Sequence, residues 1–69
     1  GGNGTTIGFS VPDTETGDAW HQAGIENGGE TCEDPPGIRD VKKYVGYDMY
    51  LAYLRDPSGN KLCALKRMS

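Results

Sequence analysis

The stretch that most constrains this chain runs from Tyr47 to Lys66, where two apolar runs flank a single turn signal. Tyr47-Asp48-Met49-Tyr50-Leu51-Ala52-Tyr53-Leu54 is dense in aromatic and branched side chains, and Lys61-Leu62-Cys63-Ala64-Leu65-Lys66 is apolar again. Between them stands Arg55-Asp56-Pro57-Ser58-Gly59-Asn60. Pro57 presets φ for a turn, the Asp56 carboxylate can accept local backbone N–H bonds, and Gly59 supplies a positive φ. Two strand-like runs around a short glycine-containing loop predict a β-hairpin, with Tyr53 opposite Cys63 and Leu54 opposite Leu62.

Upstream, Gly1-Gly2-Asn3-Gly4 is expected to be a flexible N-terminal stretch. Thr5 to Val11 alternates, with Ile7, Phe9 and Val11 on one side and Thr6, Gly8 and Ser10 on the other, which predicts a strand with one apolar face. Val11-Pro12-Asp13 ends it. Asp13 is a good helix N-cap, and acidic and polar residues follow in the first turn, as the helix dipole prefers. Thr16, Ala19, Trp20 and Ala23 fall at i, i+3, i+4 and i+7, a stripe expected to pack on a sheet. Gly17 and Gly24 weaken such a helix by ~1 kcal/mol each relative to Ala. Asn27-Gly28-Gly29 is a strong stop, so the helix is expected from Thr14 to Asn27. Glu30 to Lys43 is undecided: Pro35-Pro36-Gly37 breaks any regular element, and Ile38 to Tyr44 reads as a short strand or an irregular crossing.

Sixty-nine residues make one small unit, whose core is marginal without a staple or a partner. Cys32 and Cys63 lack the spacing of a disulfide framework, and a reducing, cytoplasmic setting is expected. No apolar run approaches the ~20 residues that cross a bilayer, and no signal-peptide pattern opens the chain. Without an initiator Met, Gly1 reads as a cleavage or proteolysis boundary. The net charge of −3 argues against nucleic acid as a partner. Its distribution is uneven, with eight acids and one base in residues 1–40 against two acids and six bases in residues 41–69. That asymmetry favours the halves docking on each other or on a second copy.

With these segments in place, the chain resembles one module of the vicinal oxygen chelate superfamily, which contains glyoxalase I, extradiol dioxygenases, and bleomycin and fosfomycin resistance proteins. The resemblance rests on Tyr53 to Leu62, similar to the family's closing hairpin, and on Thr6-Ile7-Gly8-Phe9-Ser10-Val11. Ala19-Trp20-His21-Gln22-Ala23-Gly24 with its Gly28-Gly29 end, and Pro36-Gly37-Ile38-Arg39, extend it over nearly the whole chain. It implies an α+β fold, a single βαβββ module over residues 5–69 with one helix on the convex face of a curled mixed sheet. It further implies a C-terminal-type module whose cup is completed by a second copy or a sister module, because one open sheet leaves an edge and a face uncovered.

Strand alternation then assigns faces. Ala52, Leu54, Leu62 and Ala64 belong under the helix, while Met49, Leu51, Tyr53, Lys61, Cys63 and Leu65 belong on the concave side. Thr6, Ser10, Met49, Tyr53 and Cys63 are the expected substrate-binding residues. The resemblance also implies a divalent metal, with a His or Gln near Thr6 and a Glu near Cys63. A Thr hydroxyl and a lone thiol are poor ligands for the hard cations of the family, so no metal ligand is assigned to this chain. His21 is either a proton shuttle or ligand or, more simply, an exposed histidine on the outer side of the helix. Tyr44, Tyr47, Tyr50 and Tyr53 either line an aromatic pocket or pack along strands. Cys63 is a nucleophile or an inert buried thiol, and Arg39 an anion clamp or a solvated loop residue. Three functions stay open: a metal-assisted lyase or isomerase, a small-molecule sequestration protein without turnover, and an association module without ligand.

Overall fold

The computed structural model describes residues 6–68. The flexible stretch expected at residues 1–4, like Thr5 and Ser69, lies outside the described residues. In chain order the elements are β1 (Thr6–Ser10), α1 (Thr14–Glu26), β2 (Glu30–Thr31), β3 (Gly37–Arg39), α2 (Lys42–Val45), β4 (Met49–Arg55) and β5 (Lys61–Arg67). The fold is α+β, an open mixed sheet with one long helix against it.

The hairpin forms in the expected register, Tyr53 facing Cys63 and Leu54 facing Leu62. Its first strand starts at Met49 rather than Tyr47. The Gly59 N–H donates to the Asp56 carbonyl at 2.9 Å, and Gly59 sits at φ 90°, a conformation glycine adopts without penalty. The Asp56 carboxylate accepts the Asn60 backbone N–H at 2.8 Å and its side-chain amide at 3.0 Å. Those bonds from Asn60 hold the Asp56 carboxyl below its ordinary pKa.

The sheet order is β1-β5-β4-β2, with β3 also paired to β4; β1 runs parallel to β5, and the other pairings are antiparallel. The undecided stretch therefore becomes an interrupted edge strand along β4. Thr31 faces Leu54 and Gly37 faces Leu51, so Cys32 to Pro36, five residues, pass where β4 advances only two. The surplus bulges out, and its Glu33 adopts a positive φ of 57°. α2 was not expected. Its single turn is closed by Gly46, at φ 91°, whose N–H donates to the Lys42 carbonyl at 2.7 Å. The signal was present: Val41, Tyr44 and Val45 at i, i+3 and i+4, followed by glycine.

α1 begins as expected, with the Asp13 carboxylate accepting the Thr16 N–H at 2.7 Å. It ends in a Schellman motif. The Gly29 N–H reaches the Gly24 carbonyl at 2.8 Å, and Gly28, at φ 96°, reaches the Ile25 carbonyl at 3.2 Å.

The expected packing stripe is corrected. Thr16, Ala19 and Ala23 are exposed; Gly17 and His21 are buried, and Trp20 and Gly24 are half-buried. The reason is the bulk that β4 sends toward the helix. A Cβ on Gly17 would stand 2.4 Å from the Tyr50 ring, and one on Gly24 would stand 2.2 Å from Leu54 Cδ2. The two glycines that cost helix propensity are thus the ones that let the helix dock. His21 is corrected with them: it lies between helix and sheet, 9% exposed, not on the outer side. Beneath α1, Val11, Tyr50, Ala52 and Ala64 form the core, with Trp20 and Met68 packed against it. Phe9 meets the Trp20 ring edge-on at 4.9 Å, as the alternation of β1 requires.

Candidate functional site

Alternation along β4 turns Tyr50, Ala52 and Leu54 toward α1 and leaves Met49, Leu51 and Tyr53 facing the other way. On that second face lies a cavity of about 610 Å³. Met49, Leu51 and Tyr53 form its floor. Val41, Tyr44, Val45 and Tyr47, carried by α2 and its flanks, form a wall. Arg39 from β3 and Glu33 and Asp34 from the bulge between β2 and β3 supply its charges.

Those charges are arranged unevenly. Glu33 is ion-paired with Lys61. The hydrogen bond from Lys61 lowers the Glu33 pKa, and the same bond raises that of Lys61. Arg39 has no carboxylate partner among the described residues. Its Nη2 donates instead to two neutral acceptors, the Asp34 carbonyl at 3.2 Å and the Pro35 carbonyl at 2.9 Å. Each tyrosine of the cavity carries a cation over its ring: Lys43 at 5.2 Å from Tyr44, Arg67 at 4.1 Å from Tyr47, and Lys61 at 5.3 Å from Tyr53. Burial, and then the neighbouring Cys63, raise the Tyr53 pKa, which keeps its hydroxyl neutral.

Of the five expected substrate-binding residues, Met49 and Tyr53 line the cavity. Thr6 and Ser10 lie exposed on β1, and β5 separates them from β4. Cys63 is 4% exposed beside Tyr53. Burial raises its pKa, against smaller opposing effects led by the Tyr53 hydrogen bond, so its thiol stays protonated and is a weak nucleophile. Both cysteines are free. The tyrosine series divides. Tyr44, Tyr47 and Tyr53 are pocket residues, whereas Tyr50 is buried under α1 and donates to Asp18 at 2.7 Å. Glu33 and Asp34 escaped sequence reading because nothing local signals a bulge that folds an edge strand over its sheet.

The residues that would have to hold a family metal do not fit one. Thr6 offers a neutral hydroxyl on an exposed edge, Cys63 a buried thiol kept protonated. Among the described residues, no group of three or more His, Cys, Asp or Glu is placed to hold a metal ion. The His21 Nε2, buried without a hydrogen-bond partner among the described residues, lies on the helix side of the sheet. No described helix is long and apolar enough to cross a membrane.

No family model and no curated protein matches the chain. A solved structure does: the glyoxalase/bleomycin resistance protein from Albidiferax ferrireducens T118 is 61% identical over 93% of this chain, with a TM-score of 0.80. The chain covers 49% of that protein, about half its length. Over 93% of its length the chain thus shares sequence and α+β architecture with a glyoxalase/bleomycin resistance protein, consistent with the vicinal oxygen chelate superfamily.

Proposed function

We propose that this module supplies one half of a small-molecule cup and binds its ligand without turnover, the other half coming from a sister module or a second copy. The cavity on the sheet face opposite α1 carries the reading. It is apolar and aromatic, of a size suited to a small ligand, with α2 as one wall. β1 supports the need for a mate, since all five of its residues are exposed and Ile7 is 55% exposed. Sequestration is favoured over chemistry because, among the described residues, the Cys63 thiol is buried and protonated and no group of three or more His, Cys, Asp or Glu is placed to hold a metal. Free Cys32 and Cys63 fit a reducing, cytoplasmic setting. A metal-assisted lyase or isomerase is the second reading, supported by the likeness to a glyoxalase/bleomycin resistance protein.

Light scattering and thermal unfolding test the proposal together. The expected result is a mass of at least two modules and a melting temperature raised by naphthalene derivatives, unchanged by a chelator. Stabilisation by divalent metal that a chelator abolishes would replace sequestration with the lyase reading. A monomer that answers to neither contradicts both.

A further inference from the structure

We propose that the ligand of this cavity is a planar aromatic anion, its charged group held by the Arg39 guanidinium. The inference rests on the binding reading above and names the class of molecule bound. Arg39 is half-buried on β3, directly opposite Met49 of the cavity floor. Its two bonds to the Asp34 and Pro35 carbonyls orient the guanidinium without cancelling its charge, and they leave further N–H donors unassigned. A partly desolvated cation without a counter-charge is costly, and a ligand carboxylate, sulfonate or phosphate would supply the missing partner in the fork geometry a guanidinium presents.

The rest of the lining offers a cation one acid without an ion-pair partner among the described residues, Asp34. Glu33 is neutralised by Lys61. Asp34, exposed at the rim, is the other acid that lines the cavity. Nearby Asp48 accepts the Lys42 backbone N–H at 3.1 Å. Besides Arg39 in the lining, Lys43 and Arg67 stand over the rings of Tyr44 and Tyr47 without a salt-bridge partner among the described residues. A cationic ligand would seek the tyrosine rings, but each already carries one of this chain's own cations. A flat aromatic body instead meets three rings, Tyr44, Tyr47 and Tyr53, with apolar Met49 and Leu51 beneath. Three of the six bases of residues 41–69, Lys43, Lys61 and Arg67, thus stand over rings that line the cavity.

Three probes of one shape decide it: 2-naphthoate, 2-naphthamide and 2-naphthylmethylammonium, titrated calorimetrically into the full chain in its assembled state. We expect naphthoate to bind on the order of tenfold more tightly than naphthamide, with the ammonium weakest. Arg39→Gln should erase the difference between naphthoate and naphthamide by weakening naphthoate the more. Arg39→Lys should keep part of it, and thermal unfolding of both variants reports whether the bulge is intact. Equal binding of the three probes, or a preference for the ammonium, overturns the anion assignment and leaves the cup reading standing. Binding of none of them overturns the cup reading, and the anion assignment with it.

Discussion

On the helix side of β4, Tyr50, Ala52 and Leu54 are buried, while Met49, Leu51 and Tyr53, alternating with them along the same strand, keep part of their surface open. A single strand thus belongs to two environments. Under α1 the small residues are placed to admit the large ones: Gly17 receives the Tyr50 ring, Gly24 receives Leu54, and Ala52 and Ala64 face each other fully buried. On the other face, side chains line a space that no described residue fills. Close packing is a property of finished interiors, and here one face is finished by the chain itself. The difference marks the face on which the proposed partner and ligand would act.

The largest effect should come from breaking the finished face. In Gly17→Val the new side chain meets the Tyr50 ring, which cannot retreat because it is 2% exposed and tethered to Asp18. Overpacking of this kind typically costs about 1–3 kcal/mol, and the top of that range is expected here, outweighing the less than ~0.5 kcal/mol that valine in place of glycine returns to a helix. On the open face, Val45→Ala removes a side chain that is 53% exposed, and a loss below ~1 kcal/mol is expected. Urea unfolding of the two variants measures both. Equal losses would mean that the faces are not built differently.

A smaller contrast uses two tyrosines three residues apart. Tyr50→Phe deletes a hydroxyl that donates to Asp18 at 2.7 Å. A bond to a charged acceptor contributes about 1.5–3 kcal/mol, and about 1 kcal/mol is expected to be lost here because the exposed Asp18 regains water. Tyr53→Phe removes a hydroxyl beside Cys63 and should change stability by less than ~0.5 kcal/mol. Tyr53→Phe should instead be felt in ligand affinity, where Tyr50→Phe is silent. A double dissociation between unfolding and binding sharpens the comparison; matching effects on both readouts would dissolve it.

How much of this was written locally in the chain follows the same division. The hairpin, its register, the Asp13 cap and the Gly28-Gly29 stop were legible because each depends on residues close together in sequence. The faces of β4 and β5 were legible from period two alone. The helix stripe was not. Hydropathy favoured Thr16, Ala19 and Ala23, but docking was decided by which positions could surrender a Cβ to Tyr50 and Leu54, facts held on β4, thirty or more residues away in the chain. His21 followed Gly17 and Gly24 inward for the same reason. At the candidate site, Met49 and Tyr53 came from alternation, whereas Glu33 and Asp34 depended on a register slip between β2 and β3 that no local pattern announces. Arg39 was visible as a candidate, but not its lack of a counter-charge.

The smallest effect lies at the rim of the open face, in the Glu33–Lys61 pair that ties the bulge to β5. The Glu33 pKa is lowered in the folded chain, so its share of stability is present above its unfolded pKa and fades as pH falls through the folded value. Lys61 is shifted the other way, so its share is present below its unfolded pKa and is lost as pH rises through the raised folded one. The difference in melting temperature between the native chain and Glu33→Gln should therefore form a low plateau between roughly pH 5 and 10, falling away on both sides. Both groups are reached by solvent, so about 0.5 M salt should flatten the plateau. A plateau that survives salt would make the rim part of the packed structure, and the open face would then be less open than its cavity suggests. One that disappears leaves the bulge a lightly held flap over the ligand space, free to yield when a molecule enters.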